Sequence, residues 1–336
     1  MQNNKNIDTS SEANWIRSLA EHGIIVKPLD NSNIMSLTES RPIKRKTQRE
    51  KKHEAHGFKD VAGMEEQKKL IMESFINVIR NQKQAKEYNL TPPGILLYGP
   101  PGCGKTFFAE KVGEEAGVNF IRVNPDTIAS HYVHGVQENV AELFKKAEKK
   151  APTIIFFDEF DAMTPKRTNN DNLQQNGEVN EFLCMMNNAS EKGIYIIAAT
   201  NHPEYIDPSI LRPGRIDERI YIGPPNKASR EALFRLSLSK IPKSDSIDYC
   251  KLADVTNGFN CSDITYIVNI ASRKMFNLCI TQKNKSLLPV TQELLEEVIS
   301  KRCPSINNHE LREYERIYSE FSPKEHSITR RTIGFH

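Results

Sequence analysis

The chain has 336 residues, of which 38% are hydrophobic and 26% charged, and its formal net charge is +3. That length supports two or three compact units with cores of their own, and so small a charge excess points to neither a nucleic-acid nor a membrane partner. No apolar run approaches the ~20 residues that span a bilayer. Met1-Gln2-Asn3-Asn4-Lys5 is followed by no apolar leader core. The six cysteines, at 103, 184, 250, 261, 279 and 303, form no C-x-x-C pair and read as reduced thiols of a cytoplasmic protein.

In chain order, residues 1–56 stand apart. Asp8-Thr9-Ser10-Ser11 offers a helix cap, Trp15, Ile16, Leu19 and Ala20 fall on one helical face, and Gly23 is a stop. This helix either packs on the body of the protein or presents a partner-binding peptide. Between 41 and 52, Arg41, Lys44, Arg45, Lys46, Arg49, Lys51 and Lys52 face one acid, Glu50. Such a run is either a solvated linker or a docking arm for an acidic partner, nucleic acid or a membrane surface.

From Phe58 to about Ile222, apolar runs at 95–98, 118–123, 153–157, 194–199 and 219–222 alternate with amphipathic segments. That is the pattern of an α/β unit with a mainly parallel sheet flanked by helices. From about Ala228 to Cys303 such runs disappear, and Leu233, Leu236, Leu252, Ile264, Ile267, Val268, Ile270 and Ala271 supply the apolar faces of a small all-helical unit. The stretch 304–336 holds one charged amphipathic segment around Leu311–Glu315 and then a polar tail. The expected division is therefore 1–56, 57–227, 228–303 and 304–336.

The chemistry begins at Gly99-Pro100-Pro101-Gly102-Cys103-Gly104-Lys105-Thr106, which has the G-x-x-x-x-G-K-[ST] spacing of a phosphate-cradling loop. Ile95-Leu96-Leu97-Tyr98 before it reads as a strand, and Phe107, Phe108, Ala109, Val112 and Ala116 after it as a helix. In that context the glycines let backbone N–H groups turn toward phosphate oxygens and the helix N-terminus adds positive charge. Lys105 suits the β- and γ-phosphates of a nucleoside triphosphate, and the Thr106 hydroxyl suits Mg²⁺. A second run, Ile154-Ile155-Phe156-Phe157, ends in Asp158-Glu159. Two carboxylates at the carboxyl edge of a sheet supply a metal holder, Asp158, and a residue to orient and polarise water, Glu159. The strand 194–199 ends at Thr200-Asn201, whose amide suits the same water or the γ-phosphate. In Asp207–Asp217, Arg212 and Arg215 lie three apart, held by Pro213 and Gly214. They either make local salt bridges or reach the nucleotide site of a neighbouring subunit.

The phosphate loop, Phe157-Asp158-Glu159-Phe160-Asp161-Ala162, Ala198-Ala199-Thr200-Asn201 and Leu211-Arg212-Pro213-Gly214-Arg215-Ile216-Asp217, in this order and spacing, resemble the AAA family of ATPases. Upstream, Phe58-Lys59-Asp60-Val61-Ala62-Gly63 is similar to the family segment that lines the adenine pocket. Downstream, Gly258-Phe259-Asn260-Cys261-Ser262-Asp263-Ile264 is similar to its Gly-Phe-Ser-Gly-Ala-Asp-Ile lid motif. Pro304-Ser305-Ile306 with Tyr314-Glu315 resembles the C-terminal element of the family's valosin-containing branch. The resemblance covers roughly 57–320 and leaves 1–56 unassigned.

The resemblance implies a P-loop sheet followed by a helical lid, and Mg²⁺-dependent ATP hydrolysis in a homo-hexameric ring that remodels protein substrates through a central pore. Its cofactors are ATP and Mg²⁺. ATP contacts would come from Asp60, Val61, Ala62, Gly63, Pro101, Gly102, Cys103, Gly104, Lys105, Thr106, Phe107, Cys261 and Ser262. Thr106 and Asp158 would hold the metal, and Glu159 and Asn201 would act on water. Arg212 and Arg215 would be arginine fingers acting in trans, Tyr132 and Val133 the pore loop, and 1–56 the adaptor-binding part. Three departures accompany it. His134-Gly135-Val136 stands where Gly-Glu-Ser is common, Cys261 stands where a small glycine is usual, and Cys103, at a helix N-terminus beside Lys105, is expected to carry a lowered thiol pKa. Two other functional readings stay open: a ring feeding a separate protease, to which terminal Phe335 with Gly334 is a poor match, and a nucleic-acid-associated remodeller recruited by 41–52.

Overall fold

The computed structural model describes residues 56–128, 135–166, 173–187, 189–282 and 287–321. Five parallel strands form one sheet in the order β2-β3-β4-β1-β5, with β1 at Ile95–Tyr98, β2 at Asn119–Val123, β3 at Thr153–Phe157, β4 at Ile194–Thr200 and β5 at Glu218–Tyr221. Every residue of β1, β3 and β4 is buried, as expected for central parallel strands covered on both faces. The edge strand β2 is mostly half-exposed and carries the one arginine of that run, Arg122.

The strand period of two sorts these residues between two cores. On one face, Leu96, Ile155, Phe157, Ile196 and Ala198 meet Val140 and Phe144 of α3 (Gly135–Lys149) and Val179 and Phe182 of α4 (Leu173–Met186). On the other, Ile95, Leu97, Ile154, Phe156 and Ile197 meet Phe108, Ala109 and Val112 of α2 (Lys105–Ala116). Phe75 and Ile76 join this second core from a helix that starts as α1 (Glu65–Ile71) and continues through the π-helical segment Met72–Ile76 into Asn77–Arg80.

The register pairs Leu96 with Ala198 and Phe157 with Ala198, so the carboxyl ends of β1, β3 and β4 lie side by side. The phosphate loop, Asp158-Glu159 and Asn201 leave the sheet along this one edge, where open α/β sheets place ligands.

Four helices follow, α5 (Lys227–Leu238), α6 (Tyr249–Val255), α7 (Cys261–Thr281) and α8 (Gln292–Ser300), around a separate core of Phe234, Leu238, Leu252, Ile264, Ile267 and Leu295. Each starts on a polar cap: the side chains of Asn226, Asp248, Asn260 and Thr291 accept the backbone N–H of Ser229, Lys251, Asp263 and Leu294. Such caps are each worth about 1 kcal/mol. The chain then returns to the sheet. Ile306 enters the core under α2, and in α9 (Asn308–Phe321) Ile317 joins the opposite core, with Tyr318 4.9 Å from the Tyr221 ring. Among the described residues no helix is long and apolar enough to cross a membrane.

Candidate functional site

The loop between β1 and α2 depends on its glycines. Gly99, Gly102 and Gly104 have φ of 142°, 74° and 94°, where a side chain is strained. A Cβ at Gly102 would also stand 2.6 Å from the Asn260 amide nitrogen. Inside the loop, Lys105 is only 8% exposed, and its ammonium donates to the Gly99 and Pro100 carbonyls, each at 2.8 Å. Burial pulls its pKa down to about 8. A buried, poorly solvated ammonium that leans on two carbonyl dipoles gains by meeting a polyphosphate.

Next to it, Thr106 Oγ1 donates to Asp158 Oδ2 at 3.1 Å. A hydroxyl and a carboxylate on adjoining elements are the hard oxygen donors that suit magnesium, so the residues present fit that ion. Asp158 Oδ1 accepts the Glu159 N–H at 3.2 Å. Glu159 itself has φ 51° and ψ 48°, a left-handed conformation rare outside glycine and one that marks functional positions. Its exposed carboxylate has no hydrogen-bond or ion-pair partner among the described residues. Behind it, Thr200 Oγ1 donates to Asp161 at 2.5 Å and accepts the His202 N–H at 2.8 Å, which fixes the turn that presents half-buried Asn201.

A cleft of about 890 Å³ opens on the other side of the loop, lined by Val61, Ala62, Cys103, Phe107, Cys261 and Ser262 among others. Its size is that of a small-molecule site. Asp60, Gly102 and Gly104 line it too, whereas Lys105, Thr106 and Asp158 lie outside the lining. The arrangement thus offers an apolar slot for a base on one side of the glycines and the charged groups on the other.

The first wall of the slot is pinned to α2: Lys111 bonds Asp60 at 2.9 Å, the Gly57 and Phe58 N–H groups donate to Glu114 and Glu115, and the Phe58 ring stacks on Phe108. The Lys111 hydrogen bond holds the Asp60 carboxyl below its usual range. Gly63, at φ 68°, lets the chain pass Ser229, whose hydroxyl a Cβ would strike. The second wall is the start of α7. Ser262 N–H donates to the Gly102 carbonyl at 3.0 Å and the Asn260 amide to the Pro101 carbonyl at 3.3 Å. Asp263, buried in the capping box, accepts the Ser305 backbone N–H at 3.1 Å and also the Ser305 hydroxyl, tying the lid to the returning chain.

Cys103 corrects one expectation. Lys105 does act to lower its pKa, but the thiol is fully buried and desolvation dominates, pushing it up to about 12. Cys261 is raised to about 11, also by burial. Neither thiol is an activated nucleophile.

The two arginines differ. Arg215 is tied within its own chain, Nη1 to the Ser209 carbonyl at 2.6 Å and Nε to Asn187 Oδ1 at 3.3 Å. Arg212 is exposed and has no side-chain partner among the described residues. Both sit on a segment anchored to the sheet, where the Asp217 and Glu218 N–H groups donate to the Gly94 carbonyl. Tyr132, Val133 and His134 lie outside the described residues, as do Trp15, the 41–52 run and Phe335. One residue escaped the sequence reading: Arg122 Nη2 lies 2.7 Å from Asp158 Oδ2 and Nη1 3.3 Å from Glu110 Oε1. Its only signal was a charge interrupting the apolar run 118–123.

Known proteins resemble this chain over most of its length. Residues 95–224 match the family described as ATPase family associated with various cellular activities (AAA). The Cell division cycle protein 48 homolog of Archaeoglobus fulgidus is 34% identical over 275 residues, covering 79% of this chain and 38% of that protein. Protein SAV of Sulfolobus acidocaldarius is 31% identical over 289 residues, 78% of this chain and 37% of the relative. Nuclear valosin-containing protein-like of Mus musculus is 33% identical over 274 residues, 78% and 32%. The matches thus span between 32% and 38% of the length of these curated relatives.

Proposed function

The chain carries an AAA-family ATPase domain, and we propose that it hydrolyses ATP in a Mg²⁺-dependent reaction, as a homo-hexameric ring that remodels, unfolds or disassembles protein substrates. The observation that carries the reading is the set formed by buried Lys105, the Thr106–Asp158 pair and exposed Glu159 at one sheet edge, next to an apolar cleft.

In this reading Val61, Ala62, Cys261 and Ser262 flank the base, with Asp60 and Gly63 shaping the wall, and Pro101 to Phe107 hold the phosphates. Lys105 leaves its two carbonyls for the β- and γ-phosphates. Thr106 and Asp158 would hold the metal, whose charge would offset negative charge developing on the phosphates. Glu159 orients and polarises the attacking water, and the Asn201 amide reaches the same water or the γ-phosphate. Arg212 and Arg215 act as arginine fingers on the site of the next subunit, Arg212 as the exposed one and Arg215 after leaving its bonds to Ser209 and Asn187. Tyr132 and Val133 grip an extended polypeptide through sequence-tolerant apolar contact. Residues 1–56 recruit the client or an adaptor.

Glu159→Gln tests the central assignment. The variant is expected to bind ATP with wild-type affinity and to hydrolyse it at least about a hundredfold more slowly, the range of a lost general base. Turnover near the wild-type rate would remove Glu159 from the mechanism.

A further inference from the structure

Asp158 is the carboxylate that the proposed function gives to the metal, yet proton donors already occupy both of its oxygens. Oδ1 accepts the Glu159 N–H, and Oδ2 accepts the Thr106 hydroxyl at 3.1 Å and the Arg122 guanidinium at 2.7 Å. A cation arriving at Oδ2 meets a positive charge within hydrogen-bond distance of the same atom. At that range the repulsion opposes occupancy, moderated by solvent because the Arg122 side chain is 44% exposed, although that of Asp158 is 18% exposed.

Arg122 is built to give way. Its side chain is 44% exposed on the edge strand β2, and it bridges two carboxylates rather than one. Glu110, one helical turn beyond Thr106 on α2, takes Nη1 at 3.3 Å, and Asn124 Oδ1 takes Nε at 3.3 Å. When Nη2 leaves Asp158, the guanidinium keeps both of these partners. Leaving costs one exposed ion pair and no buried, unpaired charge.

We propose that Arg122 is a positioning residue that latches Asp158 against Thr106 in the ligand-free site and releases it toward Glu110 when a metal-bound nucleoside triphosphate enters. The latch biases metal binding toward the nucleotide-bound site: the free divalent ion has to displace Arg122 unaided, whereas the triphosphate adds enough negative charge to draw the ion in. This inference rests on the metal role given to Thr106 and Asp158 above.

The test is a magnesium titration of the full chain with a fluorescent, non-hydrolysable ATP analogue, reading the magnesium concentration that half-restores tight nucleotide binding. In Arg122→Gln that concentration is expected to fall about three- to fivefold, the range of an exposed ion pair. In Glu110→Gln, which removes the alternative partner, it is expected to rise about two- to threefold. A merely structural role would move both variants in the same direction. Manganese binding without nucleotide, read by electron paramagnetic resonance, should be about three- to fivefold tighter in Arg122→Gln than in the wild type. An unchanged or raised half-point in Arg122→Gln, or shifts of the same sign in both variants, would overturn the latch. A wild type whose nucleotide binding ignores magnesium would overturn the metal role of Thr106 and Asp158 as well.

Discussion

Arg212 and Arg215 are separable by experiment because the structure treats them differently. Arg215→Ala removes a 2.6 Å charge-assisted bond to the Ser209 carbonyl and a longer one to Asn187. A bond of the first kind is worth about 1.5–3 kcal/mol when buried, and the half-buried setting reduces the loss to about 1–2 kcal/mol of unfolding free energy. Arg212→Ala removes no such bond and should shift stability by less than about 0.5 kcal/mol, as exposed sites do. Catalysis should rank the other way: losing a finger costs roughly 10³ to 10⁵ in rate, so Arg212→Ala should be stable and almost inactive. A mixing assay shows whether the finger acts in trans. Lys105→Ala chains have an intact finger and a dead site, and Arg212→Ala chains have the reverse. In a randomly mixed ring about a quarter of the head-to-tail interfaces pair an intact site with an intact finger. ATPase should therefore return to about a quarter of the wild-type rate at equal mixing and rise steeply with protein concentration in the wild type. A mixture as inactive as its parents, beside a wild-type rate per chain that ignores concentration, would refute an inter-subunit finger.

Two further substitutions probe the walls of the cleft. Asn260→Ala loses the cap on Asp263 N–H and the bond to the Pro101 carbonyl, and should cost about 1.5–3 kcal/mol in denaturant unfolding. Asn260→Ser keeps a cap and loses only the tether, so it should retain most of the stability and bind nucleotide more weakly; equal stability losses in the two variants would contradict this. Asp60 is held below its usual pKa by Lys111, so the pair's contribution is complete above the unfolded carboxyl value of about 3.9 and fades as pH falls through the lower folded value. Asp60→Asn should thus cost about 1 kcal/mol at pH 6 and progressively less as pH falls below the unfolded carboxyl value; a cost independent of pH would show that the ion pair is not the source.

What could be read from the sequence was local. The phosphate loop was legible because its backbone demands glycine at Gly99, Gly102 and Gly104, and because strand and helix periods change across it. Asp158-Glu159 was legible because a run of apolar residues with strand length ends there, and the end of a parallel strand is where ligands gather. The strand limits shifted by a residue, as at β4, where Thr200 continues the ladder by pairing with Tyr98. The thiol of Cys103 is one that local reasoning misreads. Its sequence neighbour Lys105 lowers the pKa, but the thiol is buried in the sheet core with Phe75, Ile197 and Ile220, which are distant in the chain.

The same distinction separates the residues that chemistry requires from those that set its conditions. Lys105, Thr106, Asp158 and Glu159 follow from what a triphosphate and a metal ask of any loop and strand end. Arg122, Asn260 and the tethered Arg215 act through contacts with residues 36, 159 and 28 positions away. No short-range spacing encodes such pairs, since each depends on which strand lies at the sheet edge and where the lid comes to rest. Asn260 shows the consequence most directly. It starts the lid helix, and its amide holds the Pro101 carbonyl of the phosphate loop. Together with the Ser262 N–H bond to the Gly102 carbonyl, it joins the phosphate loop directly to the first turn of the lid helix, a contact set by tertiary structure and not by spacing in sequence.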